Sequence, residues 1–162
     1  MKAKWIQDLY KTTDASFIGI QELFKTVNLN KSFLNWFPEH NCYVEPGNRE
    51  TRQDNGRAKG GLAQLIKKSH DIQVQNVRSD SYRIQAQLLK LPRTNLRWFN
   101  VYFPTDTQIQ YIEPGELVEV TQALENIMDK TEFDDVLIQG DLNWDNRRDS
   151  GHSIIMRNFL RG

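Results

Sequence analysis

The sequence predicts a mixed α/β sandwich. Three observations carry that expectation. Helical periodicity sits near both ends of the chain, several consecutive segments between them alternate apolar and polar residues, and the composition is globular. The chain has 162 residues, 38% of them hydrophobic and 26% charged. That suits one domain able to bury roughly two thirds of its unfolded surface.

The elements follow in order. Lys2–Lys11 reads as an amphipathic helix with Ile6, Leu9 and Tyr10 on one side. Phe17–Ile20 is a short apolar run suited to a buried strand, and Asn41–Val44 suggests another. Pro46–Arg57 is a polar loop with an Asn55-Gly56 turn signal. Gly60–Ile66, Ile72–Val77, Tyr82–Leu89 and Leu96–Phe103 show the partial alternation of antiparallel strands. Glu116–Met128 places Leu117, Val120, Leu124, Ile127 and Met128 at helical steps behind Pro114 and Gly115. Asp135–Gln139 is an apolar strand ending at Gly140-Asp141, and His152–Leu160 is a last helix.

Composition excludes several classes. A single cysteine, Cys42, cannot form an intrachain disulfide, and no Cys/His tract has zinc spacing. No apolar run reaches the roughly 18 residues of a membrane span, and the start MKAKWIQDLYK lacks a signal-peptide core. An intracellular protein, nuclear or cytoplasmic, is expected. Net charge is zero but unevenly spread. Residues 49–97 hold eleven Lys/Arg against four acids, residues 106–145 one Lys against eleven acids, and residues 146–162 four Arg against one Asp. Such blocks could place a cationic surface beside a carboxylate cluster, although solvated surface charge is the more ordinary account of them.

Chemistry concentrates where polar residues follow apolar strands. Glu22 follows Phe17–Ile20, Asp141 and Asn143 follow Val136–Gln139, and Tyr102 ends the segment before Pro104. Residues there point into the crevice at which α/β sheets bind ligands. Each feature alone is ordinary. Together they offer oxygen ligands for a hard cation, a carboxylate to take a proton from water, and donors for a phosphate.

These residues lie in four motifs in order: IQE at 20–22, GRAKGG at 56–61, NVYFP at 100–104 and GDLN at 140–143. The set resembles the endonuclease/exonuclease/phosphatase superfamily. RETRQDNGRAKGGLAQLIKKS and DSGHSIIMRNFL most resemble its branch in non-LTR retrotransposons. The resemblance implies a four-layer αββα sandwich and Mg²⁺-dependent hydrolysis of DNA phosphodiesters, with Mn²⁺ as a substitute. It implies that Glu22 binds the metal, Asp141 activates or orients water, and Asn143 and Tyr102 stabilise the phosphate.

Departures accompany the resemblance. The family's first strand and its closing Ser-Asp-His segment have no counterpart, and Thr105 stands where many relatives carry asparagine. Residues 1–162 are therefore expected to form a partial domain, with catalysis impaired. Two alternatives stay open: another phosphoesterase of the superfamily, or a non-catalytic relic that binds DNA weakly. Arg49, Arg52, Arg57 and Lys59 are candidate DNA-phosphate contacts, and His152 is a candidate phosphate contact. His40 and His70 read as surface residues, Cys42 as a small core hydrophobe, and Trp98 as core. Trp144, just after GDLN, reads equally as core or as a base-stacking residue.

Overall fold

A computed structural model describes Asp8, Thr12 and residues 14–23, 35–47, 60–104, 114–130, 132–145, 147 and 151–161, with side chains except at Pro114 and His152. The strands are β1 (Phe17–Ile20), β2 (His40–Glu45), β3 (Leu62–Lys67), β4 (Gln73–Val77), β5 (Ile84–Lys90), β6 (Asn95–Tyr102) and β7 (Asp135–Asp141). Helix α1 (Pro114–Asp129) lies between β6 and β7, and α2 (Gly151–Phe159) follows β7. The expected helix at Lys2–Lys11 falls outside the described residues except for Asp8.

The strands form two sheets. One is antiparallel in the order β1-β3-β2; the other runs β4-β5-β6-β7. Its first three strands are antiparallel, whereas β6 and β7 are parallel because α1 carries the chain back across the sheet. Observed bounds lie within two residues of the sequence expectation. Gly60 and Gly61 take left-handed backbone, φ 69° and 94°, so β3 opens at Leu62 rather than at Gly60.

Alternation sorts the side chains into layers. Phe99 and Val101 of β6 and Ile84 and Ala86 of β5 face Leu117, Val120, Leu124 and Ile127 of α1 and Met156 of α2. Phe17, Ile66, Leu89 and Trp98 meet in the space between the sheets, where Phe17 and Trp98 pack edge to face at 5.5 Å. Ile18, Ile20, Cys42, Val44, Ala63 and Leu65 form the outer face of the first sheet, under Trp36 and Phe37. The result is an α/β sandwich of two sheets with helices.

The strand expected to be buried, β1, is half-buried throughout, and Asp135–Leu137 of the apolar β7 is exposed. Each is the outermost strand of its sheet among the described residues, so a neighbour covers one side only.

Amides stitch the two sheets together. Gln64 donates to the Trp98 carbonyl at 3.1 Å, and Gln85 donates to the Tyr43 carbonyl at 2.9 Å. Within the second sheet, Trp98 Nε1 donates to Gln139 Oε1 at 3.2 Å. On the helix-facing side, Arg97 is fully buried, and its three guanidinium nitrogens have no hydrogen-bond partner among the described residues. Its charge lies 5.9 Å from the Phe133 ring centroid, and burial lowers its pKa.

Candidate active site

The ends of β1, β6 and β7 meet at one rim of the sandwich. Tyr102 shares a strand face with Trp98 and Asn100, which directs it between the sheets, and its parallel register partner is Asp141. Asn100 fixes this meeting point. Its side-chain nitrogen donates to the carbonyls of Ile20 and Ala63, each at 3.0 Å, while its side-chain oxygen accepts from Gln21. One buried amide thus ties β6 to β1 and β3 just below the rim.

Glu22 takes left-handed backbone, φ 55°, and the following Leu23 N–H donates to the Gly61 carbonyl at 3.0 Å. That turn brings the carboxylate to Tyr102, whose hydroxyl donates to Glu22 Oε1 at 2.7 Å. Left-handed geometry in a non-glycine residue costs about 1–3 kcal/mol and tends to cluster at functional sites. Asn143 shares the feature, with φ 47°.

Gly140 sets the exit of β7. Its φ is 141°, and a Cβ there would lie 2.0 Å from the Val101 carbonyl oxygen. After it, Asp141 Oδ1 accepts the Asn143 N–H at 3.1 Å, and Asn143 Nδ2 donates to the Phe103 carbonyl at 2.8 Å. Asp141 and Asn143 are therefore joined through a turn. Asn143 keeps its second amide N–H and its carbonyl oxygen beyond that bond.

Burial, the Glu22 hydrogen bond and the charges of Glu22 and Asp141 push the Tyr102 phenol up to about 12, against the opposing pull of Arg83. The phenol is thus a hydrogen-bond donor at neutral pH. Both carboxylates act on it, so both lie within electrostatic reach of one point. Arg83 supports the ring: its guanidinium lies 5.3 Å from the Tyr102 ring centroid and donates to Glu116 at 2.6 and 2.9 Å. The Tyr82 hydroxyl donates to the same Glu116 oxygen at 3.2 Å.

Glu22, Tyr102, Asp141 and Asn143, singled out in the sequence, thus come together. Arg49, Arg52, Arg57 and Lys59 lie outside the described residues. His152 falls in the first turn of α2, and its side chain also lies outside them. His40 is a correction: it opens β2 fully buried, with Nε2 3.2 Å from the Ala15 carbonyl oxygen, because the strand begins one residue earlier than the apolar run. His70 is exposed, against Phe17 and Ser16. Trp98 is core, and Trp144 packs against the helix-facing core. Burial raises the Cys42 thiol to about 11, which makes it a poor nucleophile.

The residues missed in the sequence are Asn100, Arg83 and Glu116. Asn100 was visible as the one amide in an otherwise apolar run, Phe99 to Phe103, before Pro104.

Among the described residues no cluster of three His, Cys, Asp or Glu surrounds a metal position. Glu22 and Asp141 still supply two carboxylates. That donor set fits Mg²⁺, which is commonly held by one or two carboxylates together with water and substrate phosphate.

Among solved structures, an AP endonuclease from Leishmania major matches with a TM-score of 0.68 at 11% identity, over 98% of this chain and 60% of that one. The endonuclease domain of TRAS1, a telomere-specific non-LTR retrotransposon, matches with a TM-score of 0.65 at 13% identity, over 99% and 64%. TDP2 from Caenorhabditis elegans matches with a TM-score of 0.59 at 14% identity, over 92% and 44%. No family model matches the sequence, and no curated protein does. The chain spans about half to two thirds of the length of these structures. At such identities the likeness is one of architecture, and by it the chain has the endonuclease/exonuclease/phosphatase fold.

Proposed function

We propose that this chain hydrolyses phosphodiesters with the help of a divalent metal, and that its substrate is DNA, nicked in the manner of a non-LTR retrotransposon endonuclease. The observation that carries the reading is the convergence of Glu22, Tyr102, Asp141 and Asn143 at one rim from three strand ends far apart in sequence. The fold it shares with the AP endonuclease and the TRAS1 endonuclease domain supports the reaction class. TDP2 from D. rerio, another structure of this fold, is complexed with a single-strand DNA product, which supports DNA as the partner.

Glu22 would hold Mg²⁺, or Mn²⁺ in its place. When bound, the ion neutralises charge on the phosphate oxygens. Asp141 orients water and accepts its proton, and its Asn143 N–H bond fixes one carboxylate oxygen. Tyr102, from a phenol that stays neutral, would turn its single O–H from Glu22 to a phosphate oxygen once the metal takes up the Glu22 charge, and the free amide N–H of Asn143 would donate a second bond. Arg49, Arg52, Arg57 and Lys59 would follow the DNA backbone, with His152 as a further phosphate contact. No helix of the described residues is long and apolar enough to cross a membrane.

Supercoiled plasmid provides the test. Nicking should require Mg²⁺, stop with EDTA, and fall on the order of 10²–10⁴-fold in Asp141→Asn. Faster hydrolysis of oligoadenylate or inositol phosphates than of plasmid would overturn the DNA assignment. A folded chain that retains DNA with a steep salt slope but never cleaves it would be a binding module instead.

A further inference from the structure

Tyr102 has a single O–H and, in the proposed reaction, two acceptors to serve in turn: the Glu22 carboxylate and a phosphate oxygen. A hydroxyl that changes partner needs a ring that stays in place. The bond to Glu22 cannot hold the ring once it is given up, and χ1 of an unrestrained tyrosine visits three staggered wells. Some other contact must therefore fix the ring.

Arg83 meets Tyr102 at three points. The Tyr102 N–H donates to the Arg83 carbonyl at 2.9 Å, Arg83 Nη1 donates back to the Tyr102 carbonyl at 3.4 Å, and the guanidinium lies 5.3 Å from the ring centroid. The Tyr82 ring centroid lies 5.1 Å from the same guanidinium. At such distances a cation is drawn to an aromatic face. Arg83 is itself held from both ends. Its backbone N–H donates to Ser81 Oγ at 3.3 Å just before β5, and its Nε and Nη2 both end on Glu116 Oε1. Glu116 stands in the first turn of α1, where the helix dipole favours a carboxylate. The Arg83 side chain is only 12% exposed, and each guanidinium nitrogen already has an acceptor. A fork so occupied serves its neighbours rather than a substrate.

We propose that Arg83 and Glu116 are positioning residues of the candidate site. Glu116 holds Arg83, Arg83 holds the Tyr102 ring, and the ring keeps its place while the hydroxyl passes from Glu22 to the phosphate. Among the described residues the charges acting on the phenol are Glu22, Arg83 and Asp141, so Glu116 reaches it through the arginine. The proposal deepens the phosphodiesterase reading and rests on it for the phosphate.

The rotamer of Tyr102 tests this chain of contacts without metal, DNA or cleavage. Three-bond couplings across its Cα–Cβ bond are measured by NMR in the isotopically labelled full chain, with the signals assigned by Tyr102→Phe. One χ1 well is expected in the wild type. Arg83→Met keeps an unbranched stem and removes the fork, and should drop the major well below about two thirds of the population. Glu116→Ala, at an exposed helix position, should shift the couplings in the same direction, and it decides the matter alone where Arg83→Met fails to fold. A single well retained in the folded variants, or averaging already in the wild type, would overturn the proposal.

Plasmid nicking gives the second readout. Arg83→Met should lower kcat about as far as Tyr102→Phe does, and in the double variant it should add less than about twofold, because both changes remove one placed hydroxyl. Effects that multiply would mean that Arg83 serves the substrate directly and would also overturn it. Rotamer averaging in variants of a chain that never nicks plasmid would count against the nuclease reading and leave the positioning standing.

Discussion

The Tyr102 hydroxyl donates to the Glu22 carboxylate at 2.7 Å across 80 positions of sequence, joining the exit of one sheet to the exit of the other. Because burial, then the bond and its charged neighbours, raise the phenol to about 12, above its ordinary 10, its contribution to stability has a definite sign with pH. It is complete below pH 10 and is lost as pH rises through about 12. Urea midpoints of the wild type and Tyr102→Phe should therefore differ by a constant amount from pH 7 to 10 and converge above it. A gap that persists unchanged to pH 12 would contradict the assignment.

Asn100 should prove structural as well as adjacent to the chemistry. Asn100→Leu keeps the number and branching of heavy atoms but leaves the Ile20 and Ala63 carbonyls without their donor. The expected loss is about 2–4 kcal/mol in urea unfolding, from about 1–3 kcal/mol per orphaned buried group. A loss below about 1 kcal/mol would mean that water takes over both bonds.

Gly140 tolerates no side chain. In Gly140→Ala the added carbon would meet the Val101 carbonyl of the paired strand, and the backbone there is itself unfavourable for an L residue. Roughly 3 kcal/mol of destabilisation is expected. Hydrogen exchange should show the damage first at Tyr102 and Phe103, which border the displaced exit.

Arg97 points the other way. A buried guanidinium with no hydrogen-bond partner weakens a core, so Arg97→Met should stabilise the chain by about 1–4 kcal/mol. Thermal and urea unfolding would both register it. A destabilised Met variant would show that the Phe133 contact outweighs desolvation.

Strand positions were legible because their signals are local. Phe17–Ile20 is bounded by polar residues, and Val136–Gln139 ends in a glycine, so both stand out without a partner sheet. The burial of these strands was not legible, since an apolar run says nothing of whether its strand lies inside a sheet or at its margin. The site residues were visible as strand-end polar groups. Their pairing was not, because the Tyr102–Glu22 contact is a matter of how two sheets meet. The same holds for Gln64, Gln85 and Asn100, whose polar character resembles surface alternation until the opposite sheet supplies carbonyls.

Those amide stitches have a consequence for motion. Two sheets held only by oil-like contacts can slide by fractions of a residue at little cost. Directional bonds from Gln64 and Gln85 to one carbonyl each, and from Asn100 to two, allow one alignment only. The sandwich is therefore latched. A fluctuation that parts the sheets while leaving each intact would separate Glu22 from Tyr102, so the chemistry at the rim would fail before either sheet melts.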